Sequence, residues 1–528
     1  MKKALKVFLI FVISVIILAV AAAFIAPYFL SDPLEETLSE EFSRQTDQDY
    51  SLTFSTFDIG VFTSSISVDS IVVESKDDNL QIRSIEARSF SINGINWFSL
   101  ISQKIPSFSE IEIQSPRVKL NERTIRASSF EQKSSADSSK IPDLTQFDII
   151  IRDGAGSIVR ADSSELFSAT GIDLRATQVD LNRLMDGSAL LFLEDLDLTG
   201  GSLKWSLKET YYELSAEGFH FDKSGQSLNI SQLALTPLLP KYEYAKARGR
   251  QIDRIQLDIP EIQLSGVNID SLVSKQLNID SLIISEPWLE VFRDKHRERA
   301  TGPGRAKPML HQASSAIPIA LQLNGVRINK GTIIYSEHKP PSDSAGHISF
   351  NNLNATLGPF RSATHPNFKN DPLLLHVDTD FMNAGALQVD IRYPFYRTDN
   401  YHHITAKLGP IDPKQVNNML KRVGFVEVES GMVHSLDAEY ELTNVASSGE
   451  VTVLYDSLKV SFLNKRDPGD ENILQKAGNF VANTFLIKSN NGGENPRVGE
   501  IDHERNEQKS IFAYWWRSLL SGLKDSIR

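Results

Sequence analysis

A chain of 528 residues is longer than one compact core normally fills, so two to four domains or one elongated repetitive body are expected. Its 41% hydrophobic and 23% charged residues are ordinary for a folded chain and exclude wholesale disorder. A net charge of −12 with no long basic stripe excludes a nucleic-acid partner, and the absence of cysteine excludes disulfides and thiolate chemistry.

The first element sets the compartment. Lys2, Lys3 and Lys6 precede an uncharged run from Val7 to Leu30, interrupted only by Ser14, Pro27 and Tyr28. That run is long enough to span a bilayer and longer than the core of a secretory signal, although Ala21-Ala22-Ala23 leaves a cleavage site in view. Lysines lie before it and Asp32, Glu35, Glu36, Glu40 and Glu41 after it, so the positive-inside rule keeps the N-terminus in the cytosol and exports the rest. Residues 1–30 are read as cytosolic tip and transmembrane anchor.

From Ile66 to Val460 the chain alternates apolar and polar residues with period two, which predicts strands with one apolar and one wet face. Leu203, Trp205 and Leu207 follow Gly200-Gly201; Ile255, Leu257 and Ile259 lead through Pro260 into Ile262 and Leu264. Such alternation favours consecutive antiparallel hairpins.

A repeat is visible. Ile92-Asn93-Gly94-Ile95-Asn96, Phe108, Ile111, Ile113, Pro116, Val118 and Leu120 have counterparts in Leu264-Ser265-Gly266-Val267-Asn268, Ile279, Leu282, Ile284, Pro287, Leu289 and Val291, at an offset of 172 falling to 171 after Pro106. Each copy then enters a polar stretch, 126–140 or 293–316, and returns through Phe147 to Ile151 or Ile317 to Leu323, the latter holding Leu321 and Leu323. Gly156 and Gly331 follow as matching strand entries, with Gly201 and Gly431 of the same kind. Glycine there supplies a positive φ or a bulge, since the helix that a phosphate loop needs does not follow. The basic cluster Arg293 to Arg305 falls in the second polar stretch and reads as solvated linker. The first unit is placed at 31–225 and the second at 226–405.

Beyond them, 406–487 forms a distinct β section with a helix over 412–423, capped by Asp412-Pro413 and stopped by Gly424. Residues 488–510 are polar and read as a mobile linker. Ile511, Phe512, Trp515, Trp516, Leu519, Leu520 and Leu523 share a broad helical face, so 488–528 ends in an amphipathic helix. Phe512, Trp515, Trp516 and Leu519 suit a membrane interface or a protein docking groove, and equally a helix plugging one end of the sheet.

No catalytic constellation is found. The eleven histidines form no His-Glu-x-x-His and no helical metal pair, and His402-His403 reads as a surface pair. Asp195 and Asp197 occupy the wet side of a strand. No Gly-x-Ser-x-Gly elbow occurs, so neither enzyme activity nor a cofactor is expected.

A long series of strands with one apolar face must hide it by closing, by sandwiching, or by curling into a groove that a ligand fills. A groove lined by Ile, Leu, Val and Phe suits acyl chains, each buried methylene contributing about 0.8 kcal/mol without a polar motif. Candidate lining residues are Ile66, Val68, Ile111, Ile113, Leu203, Trp205, Ile255, Leu257, Leu282, Ile284, Leu321, Leu323, Val389 and Ile391.

Three stretches carry a family resemblance: Ser64 to Val73 after the anchor, the strand-Pro-strand unit Ile111 to Leu120, and above all Leu408 to Leu442 with Val416-Asn417-Asn418-Met419-Leu420 and Val428-Glu429-Ser430-Gly431. The chain resembles AsmA-like proteins of Gram-negative envelopes over most of its exported part. The resemblance implies a mainly β fold, an elongated, curved antiparallel β-sheet groove with few short helices, preceded by one N-terminal transmembrane helix. It implies an inner-membrane location with the bulk in the periplasm, phospholipid as the partner, and lipid binding or conduction supporting the outer membrane. The rival expectation is a non-catalytic envelope scaffold or assembly factor that binds another envelope protein, through the C-terminal helix. About 500 exported residues make a short member, for which bridging two membranes would need a partner.

Overall fold

The period-two alternation resolves into strands, and the protein is mainly β with few short helices. The computed structural model describes residues 32–78, 80–99, 107–122, 146–180, 193–298, 306–394, 396–463 and 487–528. The anchor run 1–30, the polar stretch 126–140 and part of 293–316 lie outside the described residues. Among the described residues no helix is long and apolar enough to cross a membrane. The chain divides into two compact units, Met1–Gln232 with Asn268–Val273, and Leu233–Val267 with Ser274–Arg528.

Unit 1 begins with a helix, Asp32–Gln45. Then come β1 (Tyr50–Thr53), β2 (Thr56–Gly60), β3 (Ser65–Ser75), β4 (Ile82–Asn93), β5 (Glu110–Gln114), β6 (Arg117–Asn121), β7 (Phe147–Val159), β8 (Glu165–Val179), β9 (Asp195–Gly200), β10 (Ser202–Leu207), β11 (Tyr212–Ala216), β12 (Phe219–Asp222) and β13 (Ser227–Pro237), whose last residues pass into unit 2. Strands along the chain pair with their neighbours, except that β1/β2, β5/β6 and β9/β10 act as broken strands sharing one partner.

The breaks line up with positive-φ residues inside the unbroken strands: Ser70 in β3, Asp153 in β7, Gly171 in β8 and Gln232 in β13, with Ser115 between β5 and β6 and Gly218 before β12. Each is a bulge or a break in pairing, and a bulge bends its strand. The short side chains of Ser70, Ser115 and Asp153 suit the left-handed backbone; along the line Ser115 Oγ donates to Asp153 Oδ2 and Asp153 N donates to Asp173 Oδ1, both at 3.0 Å. The halves on both sides of the bend turn one apolar face to one core: Val68, Phe90 and Ile113 on one side, Val73 and Ile82 on the other.

Unit 2 contains β14 (Asp253–Ser265), β15 (Gln276–Ser285), β16 (Trp288–Asp294), β17 (Ala320–His338), β18 (Gly346–Gly358), β19 (Phe360–Arg361), β20 (Leu373–Phe381), β21 (Gly385–Tyr393), β22 (His402–Leu408), β23 (Val426–Leu442), β24 (Ala446–Phe462) and β25 (Val498–Glu504). Helices Lys241–Arg248, Leu310–Ser315 and Ile511–Ser526 belong to it, with helical turns over Pro413–Val416, Asn417–Met419 and Leu420–Gly424. Asp412 caps this stretch, accepting from the Lys414 N–H at 2.9 Å, as its Asp-Pro start predicts.

The expectation of a purely antiparallel sheet is corrected: the pairing is mixed. β5 and β6 run parallel to β7, and β15 and β16 run parallel to β17. The two polar stretches are the reason. Parallel neighbours need a crossover of a dozen or more residues, and these long connections supply it.

Both units therefore contain the same scheme, a strand-Pro-strand segment between an antiparallel and a parallel neighbour, and it matches bond for bond. Ser115 N donates to Arg152 O at 2.8 Å and Glu286 N to Asn329 O at 2.8 Å; Ala155 N donates to Pro116 O and Thr332 N to Pro287 O, both at 2.7 Å. Positive φ recurs at Ser115 and Glu286, at Asp153 and Lys330, and at Gly171 and Asn352. One match shifts. Val118 faces Gly156 while Leu289 faces Ile333, so the counterpart of Gly331 is Gly154, and both sit in the bulge.

The stretch 488–510, read as a mobile linker, carries β25, which pairs with β24 from Ala446↔Glu504 to Thr452↔Val498. Asn491, buried ahead of it, donates to Val453 O at 2.7 Å and accepts from Arg497 N at 2.7 Å. Composition hid this strand because Gly499 occupies a core-facing position. A Cβ there would lie 2.1 Å from Gly522 O, so the glycine lets the C-terminal helix rest directly on the strand.

Candidate functional site

Paired residues on neighbouring strands point to the same face, so the ladder registers trace rows across each unit. In unit 1 one row reads Phe57, Val68, Phe90, Ile113, Ile151, Leu174, Leu198, Phe221, Leu228. Beyond the bend another reads Ile82, Leu120, Ile158, Phe167, Trp205, Leu214. Every member is apolar.

In unit 2 the rows are longer. One is Leu264, Leu282, Val326, Leu357, Leu375, Ile391, Ile404, Tyr440, Gly449, Ile501; the next is Ile262, Ile284, Ile328, Ala355, Val377, Val389, Ala406, Ala438, Val451, Gly499. Ten strands at about 4.8 Å spacing make each row roughly 43 Å long.

The opposite face is richer in polar residues, although it includes Ile283 and the exposed Leu374, and it carries several ion pairs. Arg152 meets Glu112 at 2.7 Å, His220 meets Asp197 at 2.9 Å, and His403 meets Glu439 at 3.0 Å. His376 bridges Asp390 at 2.6 Å and Asp378 at 2.9 Å, and these contacts, Asp390 first, raise its pKa. A depression in unit 2 opens among Arg327, His376, Asp390, Arg392 and His403, and the row members Val326, Leu357, Leu375 and Ile391 also contribute to its lining. Among the described residues no group of His, Asp and Glu could hold a metal ion.

Burial along the rows is uneven: Ile262 and Ala355 are sealed, while Ile284, Ile328, Val377 and Val389 in the same row are half-buried. In unit 1, Leu38 and Phe42 of helix Asp32–Gln45 are fully buried over the first strands, where Ile66, Val68 and Ile111 are sealed as well. Along the same row Ile151, Leu174, Leu198, Phe221 and Leu228 are only half-buried, and Trp205 is 47% exposed. In unit 2 the C-terminal helix seals Val451 and Ile501, while Leu282, Ile284, Val326 and Ile328 are half-buried and Ile255 is exposed.

All fourteen expected lining residues take part in cross-strand apolar pairs, including Leu257↔Leu289, Leu277↔Leu321, Ile279↔Leu323 and Leu203↔Ala216. They separate by access. Ile66, Val68, Ile111, Ile113 and Ile391 are buried and belong to closed core; Leu203, Leu257, Leu282, Ile284, Leu321, Leu323 and Val389 are half-buried; Trp205 and Ile255 are exposed. The basic cluster starts inside β16, and two of its described members are paired: Arg293 forks onto Asp253 at 2.6 and 2.5 Å, and Lys295 pairs with Glu337.

The aromatic set on the C-terminal helix also divides. Trp515 and Leu519 pack on the unit 2 core, while Phe512 and Trp516 are exposed. Trp515 Nε1 donates to His402 Nε2 at 2.7 Å, and His402 Nδ1 donates to Asn400 O at 2.8 Å. The imidazole stacks on Tyr393 at 4.5 Å between centroids. His402 is thus buried and neutral, not half of a surface pair, and desolvation lowers its pKa to about 4. The sequence signal was the alternation itself, which places His402 on the face of Ile404 and His403 on the face of Thr405.

Neither the known family models nor the curated proteins include a match to this sequence.

Proposed function

We propose that this chain is a membrane-anchored periplasmic protein of AsmA-like type, binding or conducting lipid, phospholipid in the first place, along a hydrophobic β-groove in support of outer-membrane lipid homeostasis. The supporting observation is the continuity of the apolar rows combined with their incomplete burial. A row that served only as core would be covered along its whole length. Here sealed positions alternate with stretches of half-buried Ile, Leu and Val in each unit.

An acyl chain laid along such a row gains about 0.8 kcal/mol per buried methylene and needs no polar anchor. The polar face, with its ion pairs satisfied within the sheet, stays in water. The bilayer-length run Val7–Leu30 supplies the anchor in this reading.

The test is lipid analysis of the full chain extracted from membranes in mild detergent. Phospholipid is expected to co-elute through size exclusion, and Leu282→Glu with Val326→Glu, both half-buried row positions, is expected to lower it several-fold while the far-ultraviolet spectrum stays β-type. Co-elution of no lipid from the unaltered chain would overturn the reading and favour a protein-binding scaffold.

A further inference from the structure

We propose that two apolar turns at one end of the unit 1 strands, Gly60 to Ser65 and Gly94 to Ser99, form a tip that seats in the surface of a lipid bilayer. The inference rests on the anchored reading above and adds the part of the folded body that meets the membrane.

The turns are neighbours. Ser65 pairs with Asn93, and Ile95 N donates to Ser64 O at 2.8 Å, which ties the second turn to the first. Ile95 is buried and Trp97 packs on the unit 1 core, so the base of the tip is fixed. Its outer side is apolar: Phe62 is 104% exposed, Val61 56% and Phe98 75%. Neither Gly60-Val61-Phe62-Thr63-Ser64-Ser65 nor Gly94-Ile95-Asn96-Trp97-Phe98-Ser99 contains a charge. Exposed aromatic and branched residues in an uncharged turn are what the headgroup and upper acyl region accept.

The second copy of the turn provides an internal comparison. Asn96 accepts from Ser99 N at 3.0 Å, and Asn268 accepts from Ser271 N at 3.2 Å, so both turns close in the same way. At the position of Phe98 the copy has Asp270, which pairs with Lys223 at 2.8 Å. The turn therefore folds with a charge at that place, and the exposed phenyl of Phe98 is no requirement of its geometry. A bilayer, not a protein, is the occupant because the same chain carries the bilayer-length apolar run Val7–Leu30, only about thirty residues before Val61.

The absence of native cysteine makes the test direct. Full chain carrying Thr63→Cys, labelled with an environment-sensitive fluorophore, is reconstituted into phosphatidylethanolamine and phosphatidylglycerol vesicles with brominated acyl chains, beside an Asp270→Cys control. The chain is expected to float with the vesicles. Bromine is expected to quench the Thr63 probe several-fold more than the Asp270 probe, and Phe62→Ser with Phe98→Asp to abolish the difference without loss of flotation. Flotation with equal, weak quenching at both sites overturns the tip and leaves the anchor standing. A blue-shifted but unquenched Thr63 probe also overturns it, since a protein surface then covers the tip. Failure to float overturns both the tip and the anchored reading.

Discussion

His402 is held neutral by its partners: it gives its one proton to Asn400 O and accepts from Trp515, so an added proton has no acceptor and expels the Trp515 hydrogen bond. An unfolded histidine titrates near 6.5, and burial lowers this one to about 4. Between those values the unfolded chain binds a proton that the folded chain does not. The stability that His402 contributes is therefore complete above about pH 6.5 and falls by about 1.4 kcal/mol per unit as pH drops through the window. His376, whose pKa is raised, acts with the opposite sign, so the comparison must be made against a variant. Thermal unfolding of His402→Gln between pH 7.5 and 5 should show a shallower loss of Tm than the unaltered chain; equal slopes would contradict the assignment. Residue burial predicts a second contrast. Phe42→Ala, under the first strands, should cost about 3–5 kcal/mol in denaturant unfolding, whereas Leu282→Ala at a half-buried row position should cost about 1–2.

Among the elements, the C-terminal helix depends on two glycines in contact. A Cβ on Gly522 would lie 2.6 Å from Ile501 Cγ1 and 2.7 Å from Val451 Cγ1, and one on Gly499 would meet Gly522 O. Gly522→Val should undock the helix and raise hydrogen exchange in 511–526 while leaving unit 1 unchanged; unaltered protection would show that the helix is held by other contacts. Much at this scale was readable in advance. The Asp412-Pro413 cap, the helix after Ser510 and the strand-Pro-strand segments all follow from local chemistry that the structure repeats. Two features were not. Parallel pairing is a property of where a long connection returns the chain, and polarity of 126–140 or 293–316 carries no direction. β25 escaped because Gly499 replaces an apolar residue, and a strand that packs by lacking a side chain leaves no hydrophobic alternation to read.

Across each unit, the apolar faces were readable from period-two alternation because register then only has to align them. Access was not readable: Ile111 and Leu282 occupy matching places in the repeat, yet one is sealed within the unit 1 core and the other is half-buried. Tertiary packing, not the strand pattern, decides that difference. The lipid reading depends on the half-buried part of the rows and on the two faces behaving differently. The most direct measurement is photocrosslinking in growing cells, with a benzophenone side chain at Leu282 or Val326 on the apolar rows, and at Ile283 or Arg327, their chain neighbours on the opposite face. Lipid adducts at Leu282 and Val326 and none at Ile283 and Arg327 are the predicted result; adducts on both faces alike, or on neither, would contradict a lipid-binding apolar face.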